Sequence, residues 1–109
     1  TSGSKISVTN DIYEACEGAD IIYAKSWGST HGMAKEEDQE YRKQFAEDWR
    51  ISEKHSALAN PVSYYMHPLP AARGEEVEDA VIDGPHSRVY DQAENRLHAQ
   101  KAVLTLLMK

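Results

Sequence analysis

Cysteine is almost missing from this chain. Cys16 is the one thiol in 109 residues, which excludes an internal disulfide and suits a reducing compartment. Long apolar runs are missing too, and none approaches the roughly 20 residues that a membrane-spanning helix needs. The opening TSGSKISVTND lacks the charged-then-apolar order of a secretory leader. The expected location is therefore the cytoplasm, with no membrane partner. Positive charge is scarce: 12 Lys and Arg stand against 18 Asp and Glu, a net charge of −6. The basic residues are scattered, whereas nucleic-acid binders present a basic stripe, so no nucleic-acid partner is expected. A small anionic ligand stays compatible, because it needs only a few local donors. There is no H-E-x-x-H and no paired Cys/His spacing, so neither a metal nor a cofactor is expected.

What is present is ordinary for one globular domain: 40% hydrophobic and 28% charged residues. The chain starts without Met and enters a strand-like segment at once, which reads as a piece of a longer protein. KISVTND (5–11) alternates Ile6 and Val8 and reads as a short strand. Asp11 or Asn10 then caps a helix over 12–18 that stops at Gly18. ADIIYAKSW (19–27) carries the continuous run Ile21-Ile22-Tyr23-Ala24, the mark of a strand buried on both faces. A glycine loop (28–33) leads to a polar helix over 34–51, with Tyr41, Phe45 and Trp49 at i, i+4, i+8. A short helix (52–60) capped by Ser52 ends at Asn60-Pro61, and VSYYMH (62–67) is the next strand. A helical turn (76–85) stops at Gly84-Pro85. SRVYDQ (87–92) reads as a last strand, and the D-x-x-E pair Asp91 and Glu94 as the start of a helix over 93–109. This alternation predicts an α/β fold, a doubly wound, mostly parallel sheet flanked by helices.

In such a sheet the loops after the strands share one edge, where ligands bind. Three polar groups follow the predicted strands: Lys25, Ser26, Trp27 and Ser29; then His67 with Arg73; then Gln92, Glu94, Asn95 and Arg96. They meet in one site or are simply polar strand ends, and periodicity does not choose. His67 is either a packed histidine or a ligand contact; His31, His55, His86 and His98 read as surface residues, and Cys16 as core. Pro68 and Pro70 cannot continue an interior ladder, so the chain bends hard after His67 and leaves carbonyl oxygens facing outward.

HPLPA followed by RGEEV, VIDGP and DQAENRLHAQKAVL resembles the C-terminal, amino-acid-binding part of the carbamoyltransferase family, which includes aspartate and ornithine carbamoyltransferases. The likeness spans nearly the whole chain and is most specific over 62–108. It implies that residues 1–109 form part of the Rossmann-like second domain. The carbamoyl-phosphate domain, with its Ser-Thr-Arg-Thr-type loop, is absent, and the fragment alone is expected to be inactive. The resemblance also implies carbamoyl phosphate and an ornithine-like amino acid as ligands, a homotrimer for the full-length protein, and a role in arginine metabolism.

Carried over residue by residue, the resemblance makes His67, Pro68 and Leu69 a backbone cradle for the carbamoyl group, with a cis Leu69–Pro70 bond. Arg96 of Glu-Asn-Arg becomes the donor to the carbamoyl oxygen; His67 and Arg96 are the implied catalytic residues. The implied acceptor site is Lys25, Trp27, Ser29, Pro68 and Leu69. Glu94-Asn95-Arg96 and RGEEV are ornithine-type, while Pro68 stands where ornithine enzymes carry cysteine. Lys25 replaces an aspartate that pairs with the free α-ammonium of ornithine, and it would repel that ammonium. AKSWG resembles the N-acetylornithine type, so an N-acylated ornithine joins ornithine as the expected acceptor. Residues 29–33 depart from the family's Ser-Met-Gly motif. The alternative reading is a non-catalytic amino-acid-binding module of the same fold.

Overall fold

The computed structural model describes residues 3–28 and 34–108. The first regular element is α1 (Ile12–Cys16), and Asp11 caps it: its carboxylate accepts the N–H groups of Tyr13 and Glu14 at 2.8 and 3.2 Å. This satisfies two of the orphan donors at a helix start. The alternation at Ile6 and Val8 does not make the expected strand. Both side chains are over 90% exposed, with no strand among the described residues beside them. Without a neighbour to accept its ladder bonds, an alternating segment has no reason to be extended into a sheet.

β1 (Ile21–Tyr23) and β2 (Tyr64–Met66) pair in parallel, with Ile21 opposite Tyr64 and Tyr23 opposite Met66. The pairing continues at both ends, from Tyr64 N–H to the Asp20 carbonyl and from Ala24 N–H to that of Met66. The expectation that β1 is buried on both faces fails. Ile22 packs inward, while Ile21 and Tyr23 are each 55% exposed. Apolar runs of this kind need layers on two sides, and among the described residues only one face is covered.

The covered face meets the core. Ile12 and Cys16 of α1, Ile51, Tyr65, Val77, Val81, Ile82 and Val89 pack together, with Ile22, Trp49, Leu69 and Ala71 at the margin. Val77 and Val89 are at most 1% exposed; complete burial of such a side chain contributes about 1.5–3 kcal/mol. α3 (Glu53–Leu58) begins with a capping box in which His55 takes the usual Glu position: its Nδ1 faces the Ser52 N–H and hydroxyl at 3.1 and 2.9 Å. That contact and the Tyr13 ring, 4.9 Å away, bury a histidine expected on the surface. Burial pushes its pKa down.

α2 (Lys35–Trp49) buries no residue completely. It is fastened by Arg42, which bonds Asp38 at 2.8 Å and reaches Glu75 at 3.3 Å, and by Arg50, which donates to the Glu75 carbonyl. α4 (Asp79–Ile82) is capped by Asp83 and followed by Gly84, where a Cβ would lie 2.5 Å from the Ala80 carbonyl oxygen. Any larger residue there would have to move backbone.

The predicted last strand contracts to a single bridge. Tyr65 N–H donates to the His86 carbonyl and Arg88 N–H to that of Tyr65. The chain then turns directly into α5 (Val89–Leu107), so Asp91 sits in the first turn rather than at the cap. Gln92 N–H already donates to the Arg88 carbonyl, so the helix starts before the D-x-x-E signal. Element order and parallel pairing give the α/β class that was expected.

Candidate active site

The chain reverses after β2 at His67-Pro68-Leu69-Pro70. The Leu69–Pro70 peptide bond is cis, and Leu69 itself has φ of 53°. A left-handed conformation at a branched, non-glycine residue costs on the order of 1–3 kcal/mol and persists only where its surroundings impose it. One of those restraints is His67. Its Nδ1 accepts the Leu69 N–H at 2.9 Å, so the ring proton resides on Nε2. Nε2 lies 3.4 Å from Glu76 Oε1, and both side chains are 1% exposed. Glu76 Oε1 also accepts the Ala72 N–H at 2.7 Å. The histidine ring is thus folded under the loop, where it holds the Leu69 backbone.

Glu76 and Tyr65 bring further polarity into the core. Tyr65 is 2% exposed, and burial together with the nearby Glu76 carboxylate pushes its phenol well above the usual range. Arg73, one of the polar residues noted in this loop, is spent on structure: it bonds Asp79 at 2.8 Å and both carboxylate oxygens of Asp83, tying the loop to α4.

On the outer side of the loop lies a cavity of about 800 Å³. It is lined by Pro68 and Leu69 of the loop, by Gln92, Asn95 and Arg96 of α5, and by Tyr23, Tyr64 and Met66 of the two strands. Arg96 makes no hydrogen bond or ion pair among the described residues, so its donors are free. The structure therefore brings together Pro68, Leu69 and Arg96, with His67 directly beneath. Carbonyl acceptors on a held turn next to an unspent guanidinium can bind a neutral amide and the oxyanion formed from it.

Lys25 and Trp27 line a second recess, of about 290 Å³, with Trp49, Cys16 and Glu76. Tyr23 borders both spaces. Of the three strand-end groups, Lys25 and Trp27 line this recess and Gln92, Asn95 and Arg96 the larger cavity, whereas Ser26, His67, Arg73 and Glu94 line neither. Ser29 lies outside the described residues, as do the other members of the 29–33 segment.

Two residues carry more of the site than their sequence positions announced. Glu76 looked like one of several acidic residues, and only its burial against His67 distinguishes it. Gln92 was noted as a polar strand-end residue; its side chain joins three elements, accepting the His67 N–H at 3.0 Å and donating to Tyr23 Oη at 3.1 Å. No helix among the described residues is long and apolar enough to cross a membrane.

Comparison with known proteins gives the family of the chain. A family profile described as the Asp/Orn binding domain of aspartate/ornithine carbamoyltransferase matches residues 1–107. Ornithine carbamoyltransferase of Paracidovorax citrulli is 48% identical over 107 residues, 98% of this chain and 34% of that protein. Among solved structures, ornithine carbamoyltransferase from Pyrococcus furiosus superimposes with a TM-score of 0.77 at 50% identity, over 88% of this chain and 30% of that one. An N-acetyl-L-ornithine transcarbamylase superimposes with a TM-score of 0.82 at 40% identity, over 97% and 32%. The chain spans about a third of the length of the relatives it matches.

Proposed function

The chain belongs to the aspartate/ornithine carbamoyltransferase family through its Asp/Orn-binding domain, and from that premise we propose that it forms part of an ornithine-type carbamoyltransferase. Residues 1–109 are then most of a Rossmann-like second domain, and a carbamoyl-phosphate domain completes the enzyme. The observation that carries the reading is the cavity lined by both the Pro68-Leu69 turn and Arg96, which is unpaired among the described residues.

In the reaction the neutral side-chain amine of the acceptor attacks the carbamoyl carbon of carbamoyl phosphate. A C–N bond forms, the C–O bond to phosphate breaks, and the amine gives up a proton as phosphate departs. The backbone carbonyls of His67 and Leu69 accept from the carbamoyl NH₂, and Arg96 donates to the carbamoyl oxygen as its negative charge grows. Such donors act by being in place beforehand, which costs no reorganisation during the reaction. Aligning amine and carbonyl supplies the remaining advantage. The ring of His67 serves by holding Leu69, through the 2.9 Å bond to its N–H.

The acceptor is an ornithine, free or N-acylated. Lys25 and Trp27 meet its α-substituents, and Pro68 and Leu69 its side chain. Lys25 lines the recess next to the cavity, and its charge favours an uncharged, acylated α-nitrogen over a free ammonium. The product is of citrulline type, which fits a cytoplasmic homotrimer of arginine metabolism.

The test supplies the full-length protein with carbamoyl phosphate and either ornithine or N-acetylornithine, and measures the ureido product. The 109-residue chain alone should give none. Full-length protein that binds an ornithine yet forms no product with either acceptor would reduce this to an amino-acid-binding module.

A further inference from the structure

We propose that Gln92 is a positioning residue: its side-chain amide holds Arg96 in register with the His67–Pro70 turn. The inference rests on the carbamoyl-transfer reading and adds to it a residue that acts through its neighbours. Gln92 is engaged at both ends, accepting the His67 N–H through Oε1 at 3.0 Å and donating through Nε2 to Tyr23 Oη at 3.1 Å. The amide orientation follows from the partner, since a backbone N–H faces only an acceptor. One side chain on α5 thus grips the last residue of β1 and the first residue beyond β2.

The need for such a pin is visible in the helix. Val89 is the only buried residue of α5, and from Ala93 onward every described residue is exposed. Within this domain a single apolar anchor at the first turn leaves the setting of the helix against the two strands to polar contacts, of which those of Gln92 reach both strand ends. Gln92 lies one position before Ala93 and four before Arg96, so Gln92 and Arg96 share a face one turn apart. Both line the cavity with Pro68 and Leu69. Fixing Gln92 to the strand ends therefore fixes the side from which the guanidinium approaches the turn. An error of about 1 Å in such an alignment is enough to cost on the order of 10²-fold in rate.

The experiment compares wild type, Gln92→Leu, Tyr23→Phe and the double variant in the full-length protein. Steady-state transfer from carbamoyl phosphate is read alongside amide hydrogen exchange. Gln92→Leu should lower kcat by roughly 10- to 100-fold, with the acceptor KM within about threefold, since the cradle and acceptor contacts stay. Tyr23→Phe should give a smaller loss of kcat, and the double variant should match Gln92→Leu, because both changes break one linkage. Exchange at the His67 amide should accelerate at least tenfold in Gln92→Leu, with the core amide of Ile51 unchanged. An unaltered His67 amide overturns the proposal even if the wild type transfers nothing, an outcome that defeats the carbamoyl-transfer reading separately. An active wild type whose Gln92→Leu variant keeps kcat also overturns it, as does acceleration shared by Ile51, the mark of a merely structural role.

Discussion

The backbone N–H of Leu69 donates to Nδ1 of His67 at 2.9 Å, across the intervening Pro68. The same ring turns its other nitrogen towards Glu76, 3.4 Å away in a region neither side chain shares with solvent. A left-handed leucine is thus held by a histidine two residues earlier, in the manner of an Asx turn. His67→Ala strands the Leu69 N–H and empties the space beside Glu76, which should cost about 2–4 kcal/mol of stability. His67→Asn offers an acceptor oxygen at nearly the same place and should recover part of that loss. Urea unfolding of the three proteins checks the order, wild type above Asn above Ala; equal midpoints would show that the turn holds without its histidine.

Arg96 is exposed and unpaired among the described residues, so its replacement costs the fold little. Arg96→Ala in the full-length protein should lower kcat by about 10²-fold or more, as loss of an oxyanion donor does elsewhere. The thermal midpoint should stay where it is. Wild-type turnover in this variant would return Arg96 to the surface.

Lys25 tests the acceptor. The ratio of kcat/KM for N-acetylornithine over ornithine should favour the acylated amine in the wild type. Lys25→Asp should move that ratio towards ornithine by roughly 1–3 kcal/mol, the scale of a charge contact reversed in sign. A ratio that does not move would mean that Lys25 points away from the α-nitrogen.

His55 makes stability depend on pH. Burial lowers its folded pKa below the ordinary 6.5, so the unfolded chain takes up the proton first. Its contribution is whole above about pH 6.5 and is lost as pH falls through the folded value. His55→Gln keeps an acceptor at the capping-box position and removes the titration. Unfolding free energies at pH 8 and pH 5.5 should therefore diverge more in wild type than in His55→Gln. Identical pH profiles would remove His55 from the acid sensitivity of the fold.

Much of this protein is local chemistry and is readable as such. Asp11 caps α1 because a short carboxylate reaches the next two or three N–H groups in any setting. The prolines end β2 because they lack a donor, and HPLPA with DQAENR marks the family because both segments are contiguous. Burial is different, since it depends on what lies across space. Ile6, Val8, Ile21 and Tyr23 have the pattern of a sheet interior and stay exposed among the described residues, because an apolar side chain is buried only where a second layer meets it. His55 looks like a surface residue and is inside, and Glu76, one of many acidic residues in the chain, is buried too, each held by partners on other elements or an earlier turn. The same holds for Gln92: that it is polar and near a strand end is written in the chain, but its grip on Tyr23 and His67, 69 and 25 residues away, exists only once two strands and a helix have converged.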